Sequence, residues 1–407
     1  MQAVSGANGQ HRPRHVPKDR AFDFDFVTMP WVTVDPQLAW KRIQNTHPDI
    51  FWTPQYGGHW VVTRGDYIRE IYENVADFSS EIMSYPRAER PEPYKMAPLE
   101  LDPPEHTDYR RVLNPAFAPK SLQALKDRVR ALTVELIEGF REKGECEFVN
   151  DFAFRMPVSI FMDIVDLPKE DLPDLLRWAQ MVIHPGDDLS VAAEGHHQTA
   201  LYAYCKAAER RAKPGDDLIS RVVTTPVNGA LLTDKEAAGV ITLLLFGGLD
   251  TVASVLGFMT RHLAEHPEHN QALIDDPALI PNAVEEYFRR FSVPSTGRMV
   301  KHDMEFHGVQ LRAGEFLQAP NILYNLDDRL WPQPLTVDFH RTNASQHLTF
   351  NIGHHRCIGA PLARLELTIF LEEWTRRIGR FRVKPGTTVL AKGGSVVGLD
   401  SLPLVWG

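Results

Sequence analysis

Cys357 stands among glycines and basic residues, in the stretch Phe350-Asn351-Ile352-Gly353-His354-His355-Arg356-Cys357-Ile358-Gly359-Ala360-Pro361-Leu362-Ala363-Arg364. The other two cysteines, Cys146 and Cys205, have no such surroundings. The residues that follow predict a helix from about Pro361 to Ile378, with Pro361 suited to its first turn. A sulfur at the mouth of a helix meets backbone N–H donors and the positive end of the helix dipole. Arg356 and His355 add positive charge, and each of these influences favours the thiolate. Gly353 and Gly359 flank the cysteine and permit φ > 0 and close approach of a flat partner. By itself the position is open between an ordinary loop cysteine and a ligand. Zinc is disfavoured, since no second cysteine lies near. A cysteine nucleophile needs a histidine base, which spacing alone does not place.

Other segments carry groups that can act on a charged or oxygen-bearing partner. Asp102-Pro103-Pro104-Glu105-His106 opens a helix, and His106 and Arg110 share one of its faces, able either to hold an anion or to form a solvated surface. Thr233 to His266 reads as one long helix with Thr233 as its cap. Its centre is Leu243-Leu244-Leu245-Phe246-Gly247-Gly248-Leu249-Asp250-Thr251. Two glycines inside a helix cost roughly 1 kcal/mol each relative to alanine. They need a compensating role, either a close helix crossing or room for a flat cofactor or ligand. Asp250 in so apolar a run is costly unless paired. Glu286 and Arg289, three apart on a short helix from Pro281 to Phe291, can pair with each other.

These groups must be positioned by a large soluble body. Of 407 residues 43% are hydrophobic and 24% charged, enough for a sizeable core. The net charge of −9 argues against general nucleic-acid affinity. Three scattered cysteines and no signal-like start suggest a reducing, cytoplasmic setting. The longest apolar run, Ala237 to Leu249, is interrupted by Gly239, Gly247 and Gly248 and reads as too short for a bilayer, so no membrane partner is expected. Helices are expected at Leu38–Thr46, Tyr67–Asn74, Lys120–Lys143, Val158–Ile164, Lys169–Ile183 and Ala192–Ala212. Strands are expected at His59–Thr63, Glu305–Val309 and Glu315–Leu317, with an irregular hairpin at Ala391–Trp406. Asp77 to Leu101 reads as a long loop, a frequent place for function.

Taken together, F-x-x-G-x-H-x-C-x-G-x-x-L-A-R, the Asp102-to-Arg110 segment, the Gly-Gly-Leu-Asp-Thr centre and Glu286-x-x-Arg289 resemble, in order and spacing, the cytochrome P450 family of haem-thiolate monooxygenases. The resemblance implies a mainly α fold, a triangular helical prism with a small β-rich region, as one domain over residues 16–407; the polar, Pro-containing start at 1–15 reads as disordered or laid over the surface. It implies haem b with Cys357 as thiolate ligand of the iron. His106, Arg110, Arg298 and His355 would anchor the propionates, and Gly359 would lie beside the cofactor. Asp250 and Thr251 would be the proton-delivery and oxygen-binding pair. Glu286, Arg289 and Arg341 would form a structural triad.

Several strings, among them Phe246-Gly247-Gly248-Leu249-Asp250-Thr251-Val252 and Leu402-Pro403-Leu404-Val405-Trp406, are similar to the camphor-hydroxylase subgroup of that family. There Tyr94 corresponds to the tyrosine that bonds the substrate carbonyl, and Leu99, Leu243, Phe246, Gly247, Pro294, Ser395 and Val396 fall at pocket positions. Thr296 stands where the subgroup has an aspartate, and Leu99, Phe246, Pro294 and Ser395 also differ from it. The implied reaction is hydroxylation of a small bicyclic monoterpenoid, camphor-like or 1,8-cineole-like, with O2. No flavin or nicotinamide fingerprint is present, so two electrons would come from a [2Fe-2S] ferredoxin and its NADH-dependent reductase. Arg69, Arg110, Arg111 and Arg364 would offer the ferredoxin a basic patch. A peroxide-driven haem-thiolate enzyme and a haem-binding sensor are the alternatives, and the Asp250-Thr251 pair argues against both.

Overall fold

The computed structural model describes residues 12–83, 94–183 and 188–407. The expected disordered start therefore lies outside the described residues over 1–11, and so does the 84–93 part of the expected long loop. Residues 12–15 are laid against the body: His15 Nε2 lies 2.8 Å from Glu315 Oε1, and the adjoining Val16 is wholly buried.

Asp35 opens the first helix, α1 (Pro36–Thr46), by accepting from the Leu38 N–H. Strands β1 (Ile50–Thr53) and β2 (His59–Val62), helix α2 (Gly65–Glu73) and the short strand β3 (Phe78–Ser79) come next. Then follow α3 (Glu105–Leu113), α4 (Pro119–Arg141), β4 (Glu145–Glu147), α5 (Arg155–Val165), α6 (Leu172–Ile183), α7 (Leu189–Ala212) and α8 (Leu218–Thr224). The central pair is α9 (Asp234–Leu249) and α10 (Thr251–Glu265). Helices α11 (Pro267–Asp275) and α12 (Ile280–Arg290) lead into β5 (Ser295–Val300), β6 (Met304–Phe306), β7 (Val309–Leu311) and β8 (Phe316–Pro320). The chain closes with α13 (Asn321–Asn325), α14 (Ala360–Arg377), β9 (Phe381–Val383), β10 (Ala391–Lys392), β11 (Gly398–Leu399) and β12 (Pro403–Trp406).

The main sheet has the order β1-β2-β8-β5-β3, with β2 and β8 parallel and the other pairs antiparallel. It carries Arg298 on β5, opposite Leu317 on β8. The β6–β7 hairpin turns at His307 and Gly308, both at positive φ, which suits the right-handed twist of its strands. A second sheet, β4-β12-β9, ties the end of the chain to its middle. The β10–β11 turn is drawn onto the start of β5: the Ser295 N–H donates to the Ser395 carbonyl at 2.8 Å, and Pro294 bridges Val396.

Thr233 and Glu236 form a full capping box at the head of α9. The expected single helix from Thr233 to His266 is corrected at Asp250, where the backbone leaves the helical region (φ −128, ψ −39) and α10 begins anew. The apolar stretch also proves longer than it reads. Asp234–Glu265 has the length and composition to cross a membrane, but 67% of its apolar window is buried within the fold, as in a core helix. The helices α8, α11 and α13 have no counterpart in the sequence reading. The first two are short: α8 is capped by Asp217, which accepts from the Ser220 N–H, and α11 starts with Pro267 in its first turn and no side-chain cap.

Candidate active site

The Cys357 loop is built by backbone geometry. The Cys357 N–H donates to the Phe350 carbonyl at 2.8 Å, closing a turn whose inner residues Asn351 and Gly353 both lie at positive φ. Asn351 tolerates that region because its side-chain oxygen accepts from the next amide, Ile352, at 2.8 Å. Gly359 is different: its φ is −78, so positive φ is required at Gly353 and not at Gly359. Backbone N–H groups of Gly359 and Ala360, at the head of α14, bond the sulfur. Burial raises the Cys357 thiol above its ordinary value, and these N–H groups together with Arg110 and Arg364 pull the other way. The cations that reach the sulfur are therefore Arg110 and Arg364, a correction to the expected Arg356 and His355. Cys357 is exposed between the buried His355 and Ala360, so it borders open space within the fold, the chamber of the site.

Beside it gathers a cluster of buried basic groups. His106 on α3 and His355 in the loop have ring centroids 4.4 Å apart. Arg298 is 1% exposed and lies over the Tyr72 ring at 4.8 Å. Among the described residues, both ring nitrogens of His106, Nε2 of His355 and Nη2 of Arg298 are buried and meet no hydrogen-bond partner. Burial, with Arg110 and His354 nearby, lowers His106 to about 4. Burial, with Arg298 and His106, lowers His355 to about 3. Burial brings Arg298 down to about 10. Buried polar groups are nearly always satisfied, and unmet imidazole nitrogens beside the charged Arg298 and Arg110 call for an anionic partner. Arg110 acts electrostatically on both His106 and Cys357, which ties the cluster to the sulfur. This donor set fits a flat cofactor with carboxylates on one edge and a thiolate-seeking metal at its centre.

The opposite wall is α9. Its two glycines divide the roles considered from sequence. A Cβ on Gly248 would come within 2.6 Å of the Phe161 ring on α5, so Gly248 serves the helix crossing. A Cβ on Gly247 would meet nothing within 4 Å, and Gly247 is exposed in the middle of a core helix, so it faces the chamber. Thr251 Oγ1 donates to the Gly247 carbonyl at 3.3 Å. Asp250 is 1% exposed; its Oδ1 accepts from Gln180 Nε2 on α6 at 3.0 Å, and its Oδ2 from Ser254 Oγ at 3.5 Å. The Asp250 side chain makes no cap bond to the backbone of α10.

The expected pocket residues lie in half-exposed positions on otherwise buried elements. Leu243 and Phe246 are so placed on α9, as are Leu99, Pro294, Ser395 and Val396 elsewhere. The Pro294–Val396 bridge joins two of the segments. Tyr94 is half-buried, and its chain is seated on α9, where a Cβ on Gly239 would overlap the Lys95 carbonyl. The Tyr94 hydroxyl lies 3.4 Å from Nδ1 of His196 on α7, a residue that sequence reasoning passes over.

The structural triad forms with all members buried. Arg289 donates twice to Glu286, at 2.7 Å each, and Arg341 Nε donates to the same carboxylate at 3.1 Å. Beside it, Glu285 receives Arg364 Nε at 2.5 Å and His347 Nε2 at 3.2 Å, linking α12 to α14. The proposed basic docking patch is weaker than it reads: Arg69 pairs with Glu73, Arg111 with Asp108 and Arg364 with Glu285.

A mainly helical body holding a cysteine at a helix mouth, with anion-seeking groups beside it and an acid–alcohol pair opposite, defines a haem-thiolate monooxygenase. The chain belongs to the cytochrome P450 family, whose sequence profile, described as Cytochrome P450, matches residues 192–397. It is 34% identical to "Probable cytochrome P450 127A1" of Sinorhizobium fredii (strain NBRC 101917 / NGR234), over 97% of this chain and 96% of that protein. It is 35% identical to "Erythromycin C-12 hydroxylase" of Saccharopolyspora erythraea, over 88% of this chain and 91% of that one. The crystal structure of CYP101J2 superposes with a TM-score of 0.86 at 41% identity, covering 98% of this chain and 100% of the other. That of cytochrome P450 CYP101C1 gives 0.85 at 35%, with coverage of 98% and 100%. The fold is the helical one of the family, and the cofactor is haem b with its iron held by a cysteine thiolate.

Proposed function

We propose that this monooxygenase hydroxylates an unactivated C–H bond of a small bicyclic monoterpenoid, camphor-like or 1,8-cineole-like, using O2 and two electrons from a [2Fe-2S] ferredoxin with its NADH-dependent reductase. The observation that carries the assignment of the site is the cluster of buried basic groups with nitrogens that meet no partner among the described residues, beside a chamber-facing cysteine. Bound haem supplies the activation of dioxygen and the oxidation of carbon.

In this reading the Cys357 sulfur is the iron ligand, and the Gly359 and Ala360 N–H groups hold its negative charge. His106, Arg110, Arg298 and His355 take the carboxylates of the cofactor. Thr251 and Asp250 hold and pass protons at the hydroxyl and the carboxylate, with Gly247 leaving room beside them. Leu99, Leu243, Phe246, Pro294, Ser395 and Val396 exclude water and give the chamber its shape, while Tyr94 orients the ligand. Glu286, Arg289 and Arg341 hold the α12 region rigid beneath the cysteine loop. The subgroup likeness of the pocket strings supports the substrate class. Three cysteines that are all free favour a reducing cytoplasm.

Two measurements test this reading. Terpenoids are titrated against the ferric protein, and a low-spin to high-spin shift of the Soret band is expected for compact bicyclic ketones or ethers. Turnover with ferredoxin, reductase and NADH is then compared with peroxide alone. Faster product formation with peroxide would overturn the ferredoxin-dependent reading, and no turnover under either condition would favour a haem-binding sensor.

A further inference from the structure

His196 lies on α7 and is 8% exposed. Its Nδ1 stands 3.4 Å from the Tyr94 hydroxyl, and its ring meets Phe246 of α9 at 86°, with centroids 5.2 Å apart. Phe246 adjoins Gly247, whose carbonyl receives the Thr251 hydroxyl. One buried imidazole therefore touches both the tyrosine assigned to orient the substrate and a wall residue next to the proton-carrying turn. A leucine or phenylalanine would line this place equally well at no polar cost, whereas a buried imidazole is costly unless its nitrogens are used. On its other side the Tyr94 ring sits over α9, with Cδ2 at 3.6 Å from where a Cβ on Gly239 would stand.

A phenol hydroxyl carries one proton and two lone pairs, and a neutral imidazole one N–H and one acceptor nitrogen. Two arrangements follow. If the tyrosine donates to Nδ1, its only proton is spent and it can only accept from a ligand. If Nδ1–H donates to the tyrosine oxygen, the phenolic proton stays available for an acceptor oxygen on the ligand. At 3.4 Å the contact is longer than the usual N–H···O range of about 2.7–3.2 Å, and which group donates depends on the His196 tautomer. We propose that His196 is a specificity-determining residue: its Nδ1–H donates to the Tyr94 hydroxyl, so that Tyr94 presents its proton to the carbonyl or ether oxygen of the substrate. This rests on the reading of the chamber as a terpenoid pocket with Tyr94 as its polar contact. His196 acts through Tyr94 and is a positioning residue, not a catalytic one.

The test uses the haem-loaded protein with His196→Leu and His196→Asn, each with and without Tyr94→Phe. The asparagine amide reaches the place of Nδ1 and restores the donor. Binding of camphor (a ketone), 1,8-cineole (an ether) and camphane (the hydrocarbon) is read from the Soret shift. His196→Leu is expected to weaken camphor and 1,8-cineole roughly three- to tenfold, the worth of one neutral hydrogen bond, and to leave camphane unchanged. His196→Asn should recover most of the loss, and in the Tyr94→Phe background the leucine substitution should have no further effect. Equal weakening of camphane, or additive losses in the double variant, would make His196 mere wall and overturn the proposal. A second readout needs no substrate: nitrogen-15 spectra of the imidazoles in the diamagnetic ferrous–carbon monoxide protein. The His196 Nδ1 resonance should be that of a protonated nitrogen and should move in Tyr94→Phe. A resonance indifferent to that substitution overturns the proposal whether or not a terpenoid binds. A coupled resonance in a protein that binds none of the three ligands supports the pair and refutes the terpenoid reading instead.

Discussion

Gln180 Nε2 donates to Asp250 Oδ1 at 3.0 Å, joining α6 to the break between α9 and α10. Asp250 is buried in apolar surroundings, where an unpaired carboxylate is expensive. The amide holds one carboxylate oxygen towards α6, while Ser254 Oγ in the first turn of α10 reaches the other at 3.5 Å. Gln180→Leu is expected to leave the fold and haem content intact but to lower kcat about three- to tenfold, the loss of one hydrogen bond worth about 1 kcal/mol. The effect of D2O on turnover should grow, because a misaimed carboxylate delivers protons less well. A change confined to KM, with no change in the isotope effect, would remove Gln180 from the proton path.

Thr251→Ala should keep consuming oxygen while losing product. The Thr251 hydroxyl, tied to the Gly247 carbonyl, can accept and pass a proton at a fixed place, and a methyl group cannot. Product formed per NADH is expected to fall severalfold, with hydrogen peroxide released in its stead, while haem content and substrate binding persist. Unchanged coupling of NADH to product would exclude the role.

The cysteine assignment has its own control in the other two thiols. Cys146 is buried in β4, where burial and neighbouring carboxylates push its thiol well up, and Cys205 is exposed on α7. Reduced protein with carbon monoxide should show the strongly red-shifted Soret band of thiolate ligation. Cys357→Ala should abolish it, and Cys146→Ala and Cys205→Ala should retain it. The reverse pattern would refute the ligand.

The parts visible in the sequence were those whose chemistry is local. Cys357 with its loop, the glycine pair before Asp250 and the Glu286–Arg289 pair each lie within one short segment, so spacing alone places them on a common face or turn. The capping box at Thr233 and Glu236 is legible for the same reason. The partners that complete the site were not visible, because they come from distant segments. Gln180 meets Asp250 from a different helix, and His196 meets Tyr94 across the chamber. Nothing in the periodicity of α6 or α7 separates Gln180 or His196 from an ordinary surface residue. The helix break at Asp250 was also hidden, since the apolar pattern runs on through it. The expected basic patch reads stronger in sequence than in the fold for a related reason: counting arginines ignores the carboxylates that folding brings beside Arg69, Arg111 and Arg364.

Acid stability tests the link between the cysteine helix and the triad helix. Burial alone would raise Glu285, but hydrogen bonds from His347 and Arg364 and the Arg364 charge outweigh it and hold the carboxyl down at about 2, against an ordinary value of 4.5. His347 takes part as a neutral ring: burial lowers its pKa, Nε2 faces Glu285, and Nδ1 accepts from the Thr349 N–H at 3.2 Å. A carboxyl held lower in the folded state than in the unfolded chain stabilises fully above its unfolded value, and that contribution is lost as pH falls through 4.5 towards 2. Glu285→Gln should therefore be less stable than the parent at neutral pH by about 1.5–3 kcal/mol, the worth of charge-assisted hydrogen bonds. The gap should narrow steadily below about pH 4.5 as the parent loses the same charge. The buried His347 removes further stability below its ordinary 6.5, and Glu285 raises the pKa of that ring, so the same comparison made in a His347→Gln background isolates the carboxylate. Urea unfolding followed by the Soret band from pH 7 to pH 3 measures it. A constant gap across that range would mean that Glu285 contributes by packing, and an absent gap at pH 7 would mean that the α12–α14 link does not hold the cysteine loop.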